Sequence, residues 1–109
     1  MANPINIFKT YPYNVTTVSS TVYTTPIGYT TVALLAQVSN TTNVTVGVTA
    51  NYLRGNVTTS IISNVQVPVN DAVNMLTGKL ILQTGDSIQV FATQNDSAQL
   101  LLSILETAS

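Results

Sequence analysis

Histidine and cysteine are both absent from this chain of 109 residues. The sequence therefore has no imidazole general base, no thiol nucleophile and none of the usual transition-metal ligands. A Ser-His-Asp triad and a disulfide framework are excluded as well. We expect a protein that is not an enzyme and that holds no cofactor and no metal ion.

Charged residues are scarce, at 6% of the chain, and the net charge is −1. Typical proteins carry about a quarter charged residues. Three Lys and Arg residues cannot form the basic patch that a nucleic-acid backbone requires, so we expect no nucleic-acid partner. Since surface charge normally prevents self-association, we expect much of the surface to contact protein, including further copies of the chain. The alternative is a neutral, threonine-coated monomer.

Long apolar runs are missing too. The first residues, MANPINIFKTYPYN, lack the apolar core of a signal peptide, and VALLA at 32–36 is far shorter than a membrane span. The sequence predicts a soluble protein made in the cytoplasm, without a membrane partner.

Short segments rich in valine and threonine, separated by turn residues, make up most of the chain. These β-branched residues favour strands, and strands at roughly ten-residue spacing are typical of a sandwich or small barrel. We predict an all-β fold, an antiparallel sandwich of the jelly-roll or another Greek-key type with about eight strands. The predicted strands cover residues 5–9, 14–24, 30–39, 43–52, 57–67, 79–83, 87–93 and 98–106.

Alternation is clear at Val44, Val46 and Val48, which favours one buried face. The runs at 33–35 and 100–102 are apolar on both faces. Such strands lie in the centre of a sandwich or beneath a neighbouring subunit.

Turn residues punctuate the chain. Arg54-Gly55-Asn56 and Thr84-Gly85-Asp86 provide the positive φ of tight hairpins. Residues 70–78 predict one short helical turn, capped by Asn70 or Asp71 and ended by Gly78, or an ordered loop.

The carboxylates offer little for catalysis. Asp86 and Asp96 lie in turn sequences, where aspartate commonly makes turn hydrogen bonds, and an acid/base pair is the less favoured reading. Asp71 beside Asn70 comes nearest to a metal site, but capping explains it more simply.

The aromatic residues are concentrated near the start of the chain. We divide the sequence into residues 1–13, an N-terminal arm or edge strand, and residues 14–109, a single sandwich domain. Tyr11 and Tyr13 share a strand face, and with Phe8 they are candidate contacts for a partner or a sugar. Packing onto the edge of the sandwich is the commoner use of such rings.

Three stretches carry a resemblance to a known group of proteins: TVYTTPIGYTTVALLAQVSN (21–40), VPVNDAVNMLTGKLILQTGDSIQVFA (67–92) and LLLSILE (100–106). They resemble small virion structural proteins of tailed bacteriophages, especially marine cyanobacterial ones. In those proteins a Y-x-x-P-x-G opening leads into a long apolar strand. A GKL-x-L-x-x-GD-x-I-x-V hairpin follows, and the chain closes on S-x-LE.

The resemblance implies a non-enzymatic β-sandwich located in the virion, assembled in several copies as a capsid decoration or accessory subunit. Its implied partners are other copies of itself and the major capsid or tail proteins. A neck, tail or fibre component, or a module binding a cell-surface glycan, remains an alternative. The shared residues shape turns, so no binding residue is carried over.

Overall fold

A computed structural model describes residues 6–76, 78–94 and 98–108 of the chain. Nearly all regular structure in these residues is β-strand, as expected from the abundance of valine and threonine. The strands are β1 (Asn6–Val15), β2 (Ser20–Thr24), β3 (Tyr29–Asn40), β4 (Val46–Arg54), β5 (Val57–Val67), β6 (Ala72–Asn74), β7 (Leu80–Leu82), β8 (Ser87–Ala92) and β9 (Ala98–Ala108).

The strands form two antiparallel sheets. The first, here called sheet I, has the order β1-β9-β3-β6, and β7 also pairs with β3. The second, sheet II, has the order β2-β8-β4-β5. When β6 and β7 are counted as one interrupted strand, each sheet has four strands and the connectivity is that of a jelly roll.

The core lies between the two sheets and is filled by alternate residues of the strands. On β9, Leu100, Leu102 and Ile104 point inward and are buried, whereas Leu101 is 41% exposed. On β4, Val46 and Val48 are fully buried. The period-two pattern of a strand therefore explains which residues form the core.

The all-β antiparallel sandwich predicted from the sequence is confirmed, with nine strands among the described residues in place of about eight. The predicted strand over 14–24 is wrong as a single element, because β1 ends at Val15 and β2 begins at Ser20 in the other sheet. Between them, Thr16 Oγ1 donates to Val18 O (3.1 Å) and accepts from Val18 N (3.3 Å). A hydroxyl that bonds its own backbone makes a turn without glycine or proline.

The predicted helical turn over 70–78 is not present in the described residues of that range. Asn70 takes a positive φ of 55°, and Asp71 Oδ1 accepts a hydrogen bond from Ala72 N (2.8 Å). These two residues form a turn that directs the chain into β6, which pairs with β3. Asn70 and Asp71, which were predicted to cap a helix, therefore mark a turn.

The predicted hairpin turns are confirmed. Gly55 connects β4 to β5 with φ 58°, and Gly85 precedes β8 with φ 86°. Residues with a side chain rarely adopt these angles, so glycine suits both positions.

Strand β1 lies at the edge of sheet I and pairs with β9 from Asn6↔Thr107 to Val15↔Ala98. An edge is where a sheet tolerates proline, which explains Pro12 within the strand. Strand β1 crosses residue 13 without a break. The division of the chain into residues 1–13 and 14–109 stays a prediction.

Candidate functional site

The outer face of sheet I carries a row of apolar side chains that crosses four strands. The strand register joins Phe8 of β1 to Leu105 of β9, Leu105 to Val32 of β3, and Val32 to Ile81 of β7. Phe8 is 72% exposed and Ile81 is 52% exposed. Leu105 and Val32 are half-buried, and the residues on either side of each point into the core. We call these four residues the apolar stripe.

The same face has no charged side chain among the described residues that point outward. Beside the stripe, Thr10, Ser103 and Leu35 form the next row across three strands. The outward residues of β1, β9, β3, β6 and β7 are Asn6, Phe8, Thr10, Pro12, Asn14, Gln99, Leu101, Ser103, Leu105, Thr107, Thr30, Val32, Leu35, Gln37, Ser39, Ala72, Asn74 and Ile81. A surface of this kind meets another protein without electrostatic repulsion.

The outer face of sheet II is different in character. Its central row joins Thr21, Gln89, Asn51 and Ser60 across the four strands. Gln89 accepts a hydrogen bond from Ser19 Oγ (3.1 Å) and donates one to Thr21 Oγ1 (3.2 Å). Polar groups on this face therefore bond one another, and the apolar stripe has no equivalent in this row.

The three predicted contact residues lie on opposite faces of β1. Phe8 points outward, whereas Tyr11 and Tyr13 point inward, are half-buried and pack against the core. The ring centroid of Tyr11 is 5.5 Å from that of Tyr23, at an interplanar angle of 45°. Of the three, Phe8 is the residue whose ring is mostly available to a partner.

Glu106 is 3% exposed and links three strands to its own. Its carboxylate accepts a hydrogen bond from Tyr23 Oη (2.5 Å) and forms an ion pair with Lys9 Nζ (3.0 Å). Because Tyr23 donates its single proton to Glu106, Thr31 Oγ1, 2.8 Å from Tyr23 Oη, is the donor in that contact. The group ties β1, β3 and β9 of sheet I to β2 of sheet II.

These partners keep the carboxylate of Glu106 ionised. Burial alone would raise the pKa of Glu106, but the Tyr23 hydroxyl and Lys9 lower it below its ordinary value. Burial also raises the pKa of Tyr23, and the hydrogen bond to Glu106 raises it further. The lowered pKa of Glu106 favours its ionised carboxylate, and the raised pKa of Tyr23 favours its neutral phenol.

Asp86, 2% exposed, forms a second network at the start of β8. Its carboxylate accepts hydrogen bonds from Gln83 N (2.8 Å), Arg54 Nε (3.1 Å), Arg54 Nη2 (2.9 Å) and the Tyr52 hydroxyl. The bonds from Arg54 lower the pKa of Asp86 to about 2, against the opposing effect of burial. Asp86 therefore makes the predicted turn bond and also fastens the end of β4.

The role of Glu106 was not predicted, although the sequence contains a signal for it. Leu102, Ile104 and Glu106 alternate along one strand, so the phase that buries the first two also buries the carboxylate. A carboxylate in a core position needs a partner, and Lys9 lies on the neighbouring strand. The Arg54 bonds of Asp86 had no comparable signal, since they depend on the pairing of sheet II.

The carboxylates of Glu106 and Asp86 are engaged by cations and phenols of the same chain. Within 6–76, 78–94 and 98–108, no three His, Cys, Asp or Glu residues form a group that could hold a metal ion. Asp96, the other predicted turn aspartate, lies outside the described residues. In the described part of the chain, no helix is long and apolar enough to cross a membrane.

A shallow groove of about 320 Å³ lies on the outer face of sheet I, beyond the stripe. It is lined by Pro12, Tyr13, Asn14, Ser39, Gln99, Leu100 and Leu101. Asn14, Gln99 and Ser39 form a polar row across β1, β9 and β3. This groove offers uncharged hydrogen-bonding groups next to an apolar wall.

The loop over 40–43 is organised internally. Asn40 is buried, and its Nδ2 donates to Val44 O (2.6 Å) and Val67 O (3.0 Å). Its Oδ1 accepts hydrogen bonds from the backbone and the hydroxyl of Thr42. The asparagine side chain therefore holds the loop together and is not available to a ligand.

Comparison with solved structures supports the fold. A chain from the structure titled "Bacillus endospore appendages form a novel family of disulfide-linked pili" matches with a TM-score of 0.58 and 14% identity, over 97% of this chain and 89% of that chain. A chain of infectious bursal disease virus, Gx strain, matches with a TM-score of 0.60 and 9% identity, over 97% of this chain. The subviral particle of the VP2 protein of infectious bursal disease virus matches with a TM-score of 0.52 and 10% identity, over 96% of this chain.

The present chain spans about a third of the length of the two viral chains, 32% and 33%. No protein-family model and no curated protein matches the sequence. At such low identities the likeness shows a shared sandwich fold. The present chain contains no cysteine, so it differs in this respect from the disulfide-linked pili.

Proposed function

We propose that this chain is a non-enzymatic structural subunit of a virus particle, assembled in several copies. Within that role, we favour a capsid decoration or accessory subunit of a tailed phage, contacting further copies of itself and the major capsid or tail proteins. It is made in the host cytoplasm and resides in the virion. A neck, tail or fibre position is the alternative within the same particle.

The observation that carries this proposal is the nearly uncharged surface of a closed, well-packed sandwich. The two ion pairs, Lys9–Glu106 and Arg54–Asp86, use four charged side chains within the subunit. Among the residues that the structure describes, only Asp71 and Lys79 are charged and outside these pairs. Surfaces of this composition suit contacts between many identical copies, where like charges would repel.

Two further facts support a particle component. The stretches at 21–40, 67–92 and 100–106 carry the resemblance to small virion proteins of tailed phages from which this role was inferred. The fold is shared with chains of infectious bursal disease virus, of its VP2 subviral particle and of the pili of Bacillus endospores. A cysteine-free sandwich also depends on no redox chemistry, which suits a particle outside the cell.

The proposal is tested by the composition of purified particles. Virions are isolated on a density gradient from the lysate that produces this chain, and their proteins are quantified by mass spectrometry. We expect peptides of this chain to co-purify with the major capsid protein at a fixed ratio and in several copies per particle. Separated heads and tails would then show which part holds it. A chain found only in the soluble fraction would refute the proposal.

A glycan-binding module is the second candidate, favoured by the groove beside Tyr13. Asn14, Gln99 and Ser39 supply uncharged donors and acceptors, and Pro12 and Leu101 supply an apolar wall. The test is binding to an array of cell-surface saccharides. Binding that is lost with Gln99→Ala and kept with Gln89→Ala, the matched change on sheet II, would favour this candidate. An array without signal at millimolar concentrations would eliminate it.

A further inference from the structure

We propose that two copies of this chain pair face to face through the outer face of sheet I, with their apolar stripes in contact. The inference rests on the proposed function, because it identifies the surface through which copies of the subunit meet. It assigns Phe8 and Ile81 as the most exposed anchors of that contact.

Exposed apolar surface is concentrated on this face. Phe8, Ile81 and Leu101 are 72%, 52% and 41% exposed, and all three lie on this one face. The stripe is continuous, because each of its residues is the register neighbour of the next. Scattered exposed apolar residues are ordinary, but a contiguous row across a sheet marks an interaction surface.

The face is also large enough for a stable contact. Strand β9 has 11 residues, and at about 3.3 Å per residue it is roughly 36 Å long. Four strands spaced about 4.8 Å apart give a width of roughly 19 Å. The product, about 700 Å², approaches the roughly 800 Å² that each partner buries in a standard protein–protein interface.

The lack of charge on this face favours a second copy of the chain as the partner. A charged surface facing its own copy would repel it, but the described outward residues of this face carry no charge. Self-pairing therefore has no electrostatic cost. The stripe crosses the whole sheet, so a two-fold axis lying in the interface along the stripe places stripe against stripe. Such a contact is isologous and uses one patch twice.

The outer face of sheet II provides the internal comparison. Its central row is Thr21, Gln89, Asn51 and Ser60, and Gln89 bonds to its neighbours on the same face. This central row is polar and its Gln89 is already hydrogen-bonded, so the row gains little by pairing. The two outer faces thus predict different behaviour for matched substitutions.

The first experiment compares two double variants of the full chain by sedimentation equilibrium over a wide concentration range. Phe8→Ser/Ile81→Thr removes the anchors of the stripe. Val18→Thr/Ile27→Thr removes two side chains that are as exposed, at 69% and 90%, but lie in loops. We expect a dimer for the wild type, a dissociation constant raised at least about tenfold for the stripe variant, and a change of less than about twofold for the loop variant. Thermal unfolding confirms that both variants are folded.

The second experiment uses the absence of cysteine, because a single introduced cysteine is then a unique probe. Ser103→Cys lies on the outer face of sheet I next to the stripe, and Asn51→Cys lies on that of sheet II; both positions are half-buried. A two-fold axis along the stripe leaves the two copies of residue 103, each two strand residues from the axis, about 13 Å apart along the strands, which is too far for a direct disulfide. With a bismaleimide reagent that spans this distance we expect a cross-linked dimer from Ser103→Cys alone.

Three outcomes would overturn the inference: a wild type that is monomeric at every concentration, a stripe variant that pairs like the wild type, or equal cross-linking at both cysteines. The second of these would leave another surface or another protein as the partner. None of them decides whether the chain is in the virion, which particle composition tests separately. Conversely, the chain could be absent from virions while the wild type dimerises and the stripe variant does not. That result would refute the proposed function and leave the proposed dimer contact intact.

Discussion

At the scale of single residues, Glu106 links the two sheets of the sandwich. It is a buried acceptor for a phenol and an ammonium group that belong to different sheets. Glu106→Gln keeps the shape of the side chain but removes its charge. The new amide nitrogen is itself a donor, and it faces the Tyr23 hydroxyl or the Lys9 ammonium group, which are also donors. We expect the free energy of unfolding to fall by about 1.5 to 3 kcal/mol, the range for hydrogen bonds to charged groups.

The measurement for Glu106→Gln is urea unfolding followed by tyrosine fluorescence. Asp71→Asn is the control, because Asp71 is exposed and lies outside both ion pairs. Its effect should stay within about 0.5 kcal/mol. Equal effects of the two substitutions would show that Glu106 has no special role in holding the sheets together.

Asp86 predicts how stability depends on pH. Hydrogen bonds from Arg54 lower the pKa of Asp86 in the folded protein to about 2 from its ordinary value of 3.8. A lowered folded pKa means that the stabilisation is present above pH 3.8 and is lost as the pH falls towards 2. Since Arg54 is 56% exposed and water screens the pair, we expect a contribution on the order of 1 to 2 kcal/mol.

The prediction is checked by urea midpoints measured between pH 6 and pH 2 for the wild type and Asp86→Asn. The wild type should lose stability mainly in the window from pH 3.8 down to about 2. The variant should be less stable at pH 6 and should show a shallower acid decline, with Glu106 accounting for the remainder because its pKa is also lowered. Parallel curves would contradict the assignment.

At the scale of elements, strand β1 decides whether the first residues are an arm or a part of the sandwich. It pairs with β9 along its whole length, contributes Lys9 to Glu106 and places Tyr11 against Tyr23. Deleting residues 1–13 would expose the edge of β9 and leave Glu106 without its cation. We therefore expect the truncated chain to lose cooperative thermal unfolding and NMR signal dispersion.

Deletion of residues 1–5 is the control for this truncation, because it leaves β1 intact. It should retain the cooperative transition. If the chain without residues 1–13 unfolds as cooperatively as the control, β1 is a detachable arm and the division of the chain at that residue is right.

Elements with ordinary strand and turn signals were predictable from the sequence. The strand over 57–67 matches β5, and the glycine turns before β5 and β8 lie where expected. The errors arose where one residue type serves two structures. Thr16 and Val18 look like strand residues, but the Thr16 hydroxyl bonds the backbone and makes a turn. Asn70 and Asp71 look like a helix cap but form a turn into β6.

At the scale of the whole molecule, the pairing of distant strands could not be deduced. Sheet I brings Asn6 next to Thr107, at opposite ends of the chain, and no local pattern reports such a contact. The apolar stripe depends on this pairing, since Phe8, Leu105, Val32 and Ile81 become neighbours only in the sheet. The sequence could predict an uncharged, assembling surface from composition, but not which face carries it.

The low charge of the molecule leads to a last prediction, on the response of self-association to salt. Ion pairs at an interface weaken as salt screens them, whereas apolar contacts do not. The described outer face of sheet I has no charge to screen. We therefore expect the dimer dissociation constant to change by less than about twofold between about 50 and 500 mM sodium chloride. Ammonium sulfate should tighten the dimer, because excluded salts strengthen apolar burial. Sedimentation velocity measures both effects, and a dimer that dissociates as sodium chloride rises would instead require Lys79, Asp71 or another charged group at the contact.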